Sequence, residues 1–146
     1  ETMKLGMEAL EPFLQESSRE AAGRGTILIA TVKGDIHDIG KNIVALMLRN
    51  HGFRVVDLGR DVAAERIVRE IERHRPRVVG LSALMTTTMT RMEEVIDLAR
   101  RQGQQCPFIV GGAVVTRTYA DSIGAEYARD GVEAVQVIQR IIGPAK

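Results

Sequence analysis

The chain has 146 residues, 45% of them hydrophobic and 27% charged, enough for one domain with a sizeable core and too few for two ordinary domains and a linker. Its 20 basic and 19 acidic residues nearly balance, which leaves no field that would point to nucleic acid or an anionic membrane, and no apolar run approaches the roughly 20 residues that span a bilayer. A single cysteine, Cys106, excludes an internal disulfide and a multi-cysteine zinc cluster and suits a reducing compartment, so the cytoplasm is the expected location.

The chain opens on Glu1 without an initiating Met, which reads as an excised piece of a longer protein. Met3, Met7, Leu10, Phe13 and Leu14 recur at helical spacing, placing one apolar stripe on a short helix within residues 1–18. Residues 19–25, charged and glycine-containing, read as a linker, and a domain spans 26–146. Within it β-rich runs alternate with helical patterns. Strands are predicted at Ile27–Val32, Arg54–Leu58, Val78–Ser82, Phe108–Val110 and Glu126–Ala128, and helices at Lys41–Asn50, Ala63–His74, Met89–Arg101, Thr116–Ile123 and Val132–Ile142. Asp61 is placed to cap the second helix, Gly52 and Gly103 follow helices, and Pro76 blocks continuation. Parallel neighbours need a crossover long enough to hold a helix, so the pattern predicts an α/β, flavodoxin-like, doubly wound five-stranded parallel sheet of order 2-1-3-4-5. The ligand crevice of such a sheet lies where the order reverses, above the loops after Val32 and Leu81.

The first of those loops reads Gly34-Asp35-Ile36-His37-Asp38-Ile39-Gly40-Lys41-Asn42. A neutral imidazole there would ligate a transition metal through one nitrogen while Asp35 accepts a hydrogen bond from the other, fixing tautomer and basicity. Spacing alone leaves a second reading open, a loop histidine that caps the next helix with Asp35 as the N-cap group. Lys33, Lys41 and the arginine-rich helices read as solvated surface.

Asp35-x-His37-x-x-Gly40, Ser82-x-Leu84 and Gly111-Gly112, with 41 residues between Gly40 and Ser82 and 26 between Leu84 and Gly111, together resemble the three-part signature of cobalamin-binding domains. The form Gly-Asp-x-His-Asp-Ile-Gly-Lys-Asn is similar to methyl-transferring members: the cobalamin domain of methionine synthase and the corrinoid proteins of methanol and methylamine methyltransferase systems. Ser82 to Met89 and Gly111 to Thr116 resemble the latter more closely; Val114, where those proteins often have proline, and the shorter Ala125-Glu126-Tyr127 step depart from them.

The resemblance implies cobalamin or a related corrinoid as cofactor, bound with its own base displaced and with His37 as the axial ligand of cobalt. Asp35 would bond the far nitrogen of His37, and Ser82 would extend that relay. Gly34, Ile36, Asp38 and Ile39 would line the corrin, and Gly40, Gly111, Gly112 and Ala113 would leave room for the nucleotide tail. Ser82 and Thr86 would offer the tail hydroxyls beside Leu84, and Tyr127, Ala128, Asp130 and Gly131 would close the far wall. The 1–18 helix resembles the last helix of a cap over the upper cobalt face. Implied partners are methyl-donor and methyl-acceptor methyltransferase domains or subunits and a reductive activation partner, with no nucleic acid and no membrane; the chain alone would turn nothing over.

Three other classes share part of this pattern. A cobalamin-based sensor would share this domain and differ by a DNA-binding segment upstream. A phospho-acceptor receiver would need Asp after the third strand and Lys after the fifth, where this chain has Ser82 and Ala128-Arg129. A flavin binder would need a hydroxyl-rich first loop and aromatic residues to sandwich the ring, whereas this loop is acidic and the chain has no Trp.

Overall fold

A computed structural model describes residues 25–37 and 39–142. The stripe, residues 19–24 of the linker, Asp38 and residues 143–146 lie outside the described residues. Five parallel strands form one sheet in the order β2-β1-β3-β4-β5, as the alternation predicts. They are β1 (Thr26–Thr31), β2 (Arg54–Asp57), β3 (Val78–Ser82), β4 (Phe108–Gly111) and β5 (Glu126–Tyr127), and the helices are α1 (Ile39–Asn50), α2 (Ala64–His74), α3 (Thr86–Arg101), α4 (Arg117–Ser122) and α5 (Gly131–Ile142).

Side chains alternate across each strand, so every central strand feeds two cores. Ile27, Ile29, Val78, Ile109 and Ala128 pack against α1 and α5 with Ala45, Leu48, Val135 and Ile138. Leu28, Ala30, Val79, Leu81, Phe108 and Val110 pack on the opposite face with Ile67, Met92, Val95 and Ala120 of α2, α3 and α4. Parallel register sets Thr31 beside Ser82, and Ser82 beside Gly111, at the carboxyl edge of the sheet. One row further in lie Ile29, Gly80 and Ile109. Those two rows face α1 and α5 and define the ground on which the site is built.

Several boundaries differ from the sequence-based expectation. Helix α3 begins at Thr86, one turn earlier than predicted, although no side chain of its own caps it at Met85. Asp61 does not cap α2; the N-cap is Ala63, and Asp61 sits at φ 55° with its carboxylate on the Gly34 amide at 2.8 Å. Lys41 is not solvated surface: its side chain is 4% exposed, with Nζ 2.6 Å from Asp57 Oδ1. Among the described residues no helix is long and apolar enough to cross a membrane.

Helix α2 ends on Arg75 at φ 50° and ψ 58°, its amide donating to the Ile71 carbonyl at 2.7 Å, with Pro76 next. A left-handed turn suits glycine there, and Arg75 is exposed. Arg75→Gly is therefore expected to raise stability by about 0.5–1 kcal/mol, since relief of the left-handed penalty exceeds the added chain entropy of glycine. Urea unfolding would read it as a higher midpoint with unchanged slope; a lower midpoint would mean that the Arg75 side chain matters more than its backbone.

Candidate functional site

The loop between β1 and α1 is built around one carboxylate. Its turn begins at Lys33-Gly34, with Gly34 at φ 89° lying over Thr88: a Cβ there would come within 3.2 Å of Thr88 Cγ2. The turn sends the Asp35 side chain inward, where it is fully buried. Oδ1 accepts from the His37 amide at 3.0 Å and faces His37 Nδ1 at 2.8 Å. Oδ2 accepts from the Leu84 amide at 2.6 Å, the Met85 amide at 3.3 Å and the Thr88 hydroxyl at 2.7 Å. The Thr88 hydroxyl also approaches the Met85 carbonyl at 3.0 Å, but its single proton is better placed on the nearer, charged oxygen.

Burial on its own would raise the Asp35 carboxyl; the Thr88 hydroxyl, the Leu84 and His37 amides and the His37 ring outweigh it and hold the group well below the usual carboxylate range. With Asp35 ionised, His37 Nδ1 carries the bonding proton, so in the neutral ring the lone pair lies on Nε2. The His37 side chain is 47% exposed. Asp35 does act at a helix start, but that helix is α3: it holds the Leu84 and Met85 amides just before the first turn and the Thr88 hydroxyl within it, while its bonds to His37 fix its own loop. The relay expected through Ser82 is not seen: both Asp35 oxygens are occupied and the hydroxyl that reaches them is Thr88, one helical turn inside α3.

Beside the loop a cleft of about 370 Å³ enters between α1, α5 and the carboxyl edge of the sheet. Ser82, Leu84, Gly111, Gly112 and Ala113 line one side, Ala128, Asp130 and Gly131 close the far wall, and Gly40 opens the near one. Gly34, Asp35, Ile36, His37 and Ile39 are not in its wall; they form the loop at its mouth, where Ile36 is 61% and Ile39 77% exposed. Two predicted lining residues lie elsewhere. Thr86 is exposed at the start of α3, because the helix turns the threonine run so that Thr88 goes inward. Tyr127 packs with the α2–α4 core under the Arg117 guanidinium, since strand alternation gives the cleft Ala128 instead.

Sequence reasoning missed Lys41, Val44, Gly80 and Ile138, which also line the cleft. Gly80 was detectable: a glycine within a buried strand marks a place where something must come close, and here a Cβ would meet Ile29 Cγ2 at 3.0 Å. The glycines differ in purpose. A Cβ on Gly112, at φ 134°, would lie 1.8 Å from the Ala83 carbonyl oxygen, and one on Gly111 2.9 Å from that of Ala128, so both serve backbone packing. Gly40 has nothing within 4 Å of its Cβ position and leaves open space.

Among the described residues no group of three His, Cys, Asp or Glu could hold a metal ion. One exposed imidazole set among exposed isoleucines, beside a largely apolar cleft, fits a metal that arrives within its own flat macrocycle. The buried Thr31 hydroxyl, on the cleft side of β1, has no partner of its own.

The unfolded value for Asp35 is about 4, above the folded one, so its contribution is complete above that pH and declines as pH falls toward the folded value. Asp35→Asn is expected to cost the cofactor-free chain about 2–4 kcal/mol at pH 7, because amide N–H groups and a hydroxyl lose a charged acceptor. Between pH 6 and pH 3 the gap to the parent should narrow by about 1 kcal/mol, since only the parent loses a carboxylate contribution on acidification. Urea titrations at both pH values check this, and a gap of constant size would mean that Asp35 acts by shape alone.

Comparison with known proteins accords with this geometry. The family model described as the B12 binding domain matches residues 25–138. Trimethylamine corrinoid protein 2 of Methanosarcina mazei is 43% identical over 97% of this chain and 67% of its own length. A crystal structure of a cobalamin-binding protein from Desulfitobacterium hafniense superposes with a TM-score of 0.80 at 36% identity, covering 82% of this chain and 60% of that one. The methanol:cobalamin methyltransferase complex of Methanosarcina barkeri contains a chain matched at TM-score 0.80 and 38% identity, over 84% of this chain and 48% of that one. The chain thus spans about two thirds of the curated relative and about half of the matched chain in the complex. It belongs to the B12-binding domain family, in its corrinoid-protein branch, and its cofactor is cobalamin or a related corrinoid.

Proposed function

We propose that this chain carries a methyl group on corrinoid cobalt between methyltransferase partners, binding the cofactor with its base displaced and His37 as the axial ligand. The observation that carries the reading is the 2.8 Å contact of His37 Nδ1 with buried Asp35, which in the neutral imidazole turns the lone pair of an exposed ring to Nε2. When bound, the corrinoid supplies a cobalt centre that accepts and releases the methyl group. The residues of the chain set the axial bond and the access. Asp35 holds the imidazole in one tautomer, and Thr88 and the Leu84 and Met85 amides hold Asp35 ionised. Ile36, Ile39 and Leu84 offer the corrin an apolar seat, and the cleft from Gly40 to Gly131 takes the nucleotide tail.

The identities of the partners rest on the relatives, one a trimethylamine corrinoid protein and one matched within a methanol:cobalamin methyltransferase complex. We assign the chain a methyl-donor partner, a methyl-acceptor partner and a reductive activation partner, in the cytoplasm. Residues 1–18 are assigned as the end of a cap over the upper face, 19–25 as linker and 26–146 as the carrier domain.

Mixed with hydroxocobalamin and passed through gel filtration, the chain is expected to retain one cofactor with the spectrum of axial histidine. His37→Ala should lose that spectrum yet keep corrinoid, because the cleft supplies separate contact. A spectrum identical to that of free cofactor for the parent, or to that of the parent for the alanine variant, would overturn the assignment.

Gly40→Leu separates the cleft from the ligand. Its side chain would enter open space, so helix α1 should be no less stable, leucine exceeding glycine in helix propensity by about 0.8 kcal/mol. Corrinoid retention should fall by at least tenfold (about 1.4 kcal/mol) as the channel fills. Equilibrium dialysis with cyanocobalamin beside thermal unfolding would test it; undiminished binding would move the tail elsewhere.

A further inference from the structure

The segment from Asp57 to Asp61, between β2 and α2, contributes nothing to the cleft wall, yet it grips the His37 loop at both roots. At the upstream root the Asp61 carboxylate accepts from the Gly34 amide at 2.8 Å, and the Asp61 amide donates to the Asp35 carbonyl at 3.0 Å. Asp61 makes both contacts from the left-handed region, at φ 55°, which is uncommon outside glycine and best tolerated by Asn and Asp. At the downstream root Lys41, in the first turn of α1, donates to Asp57 Oδ1 at 2.6 Å and Oδ2 at 2.8 Å and to Asn42 Oδ1 at 3.0 Å. Asp57 also accepts from the Gly59 amide at 2.8 Å, and the Gly59 carbonyl accepts from the Thr31 amide at 2.9 Å, which closes the circuit back to β1.

A lysine with a 4% exposed side chain has given up its hydration, and an apolar residue of the same length would fill the space without that loss. Its three protons meet three acceptors, so the ammonium is not free to bind a ligand, although the residue borders the cleft. What the charge does is fix direction. It ties the beginning of α1 to the end of β2, four residues from the Asp61 anchor, so that the His37 loop is anchored at both ends.

We propose that Lys41 is a positioning residue for the axial histidine, acting through Asp57 to hold the loop taut so that His37 Nε2 stays presented to cobalt. This rests on the carrier reading above, with His37 as the ligand. Lys41→Met keeps the stem and removes the charge.

With hydroxocobalamin at fixed pH, Lys41→Met is expected to retain the cofactor, since methionine keeps the apolar stem that borders the cleft, while axial coordination by histidine weakens about tenfold, as losses around a ligand typically do. Lys41→Arg should restore much of it. In the cofactor-free chain, amide hydrogen exchange should quicken in residues 34–40 of the methionine variant and not across the central strands, whereas a loss of general stability would quicken both. Should Lys41→Met fail to fold, Lys41→Met with Asp57→Leu removes both charges and restores the fold by the same desolvation argument; weakened axial coordination in that variant supports the proposal. A parent-like axial spectrum together with unchanged exchange in residues 34–40, in whichever variant folds, overturns it. A parent protein that itself lacks the axial-histidine spectrum overturns the carrier reading instead.

Discussion

The buried carboxylate of Asp35 is the constraint around which the site is organised. An isolated carboxylate with no exposure would cost many kcal/mol, and here the cost is offset by five hydrogen-bond donors drawn from three places: the loop itself, the strand-to-helix turn at Leu84 and Met85, and Thr88. The orientation of the His37 ring is therefore not an independent choice of rotamer. It follows from where β1 and α3 lie, and so from the sheet.

Much of the architecture is legible in the sequence because its signals are local. Continuous apolar strands separated by helical patterns identify a parallel sheet, and the order 2-1-3-4-5 places the loops after Val32 and Leu81 together. What was not legible depends on contacts distant in sequence. The start of α3 lacks a local cap because its cap is Asp35, 50 residues before Met85. The same distance hid Thr88, one of three consecutive threonines, in favour of Ser82, which stands in the signature. Lys41 read as surface because its partner Asp57 lies 16 residues away on another element, and Tyr127 was carried over from the resemblance to the cleft wall, where strand alternation sets Ala128 instead.

The paired glycines carry a related lesson. Gly111 and Gly112 belong to the motif by which the cofactor was inferred, and the obvious explanation is room for a ligand. The geometry gives a different one, since both would drive a Cβ into backbone carbonyls of Ala128 and Ala83. They let the β3 and β4 ends and the β5 turn close on each other, and the cleft exists because that closure leaves its mouth toward α1. Room in the direct sense comes from Gly40, which also lies in the motif, whereas Gly80 yields its space to Ile29.

The distance between Asp35 and its donors also sets an order of assembly. The donors at Leu84 and Thr88 are 49 and 53 residues along the chain, so they reach Asp35 only after β3 has paired beside β1, and that loop closure is an entropic debt settled late. A chain emerging from synthesis would have the entire His37 loop available while its histidine still sampled every tautomer and direction. The imidazole gains its fixed lone pair only when half the sheet has formed, so a ligand that needs that lone pair is met by folded protein and not by a loose histidine.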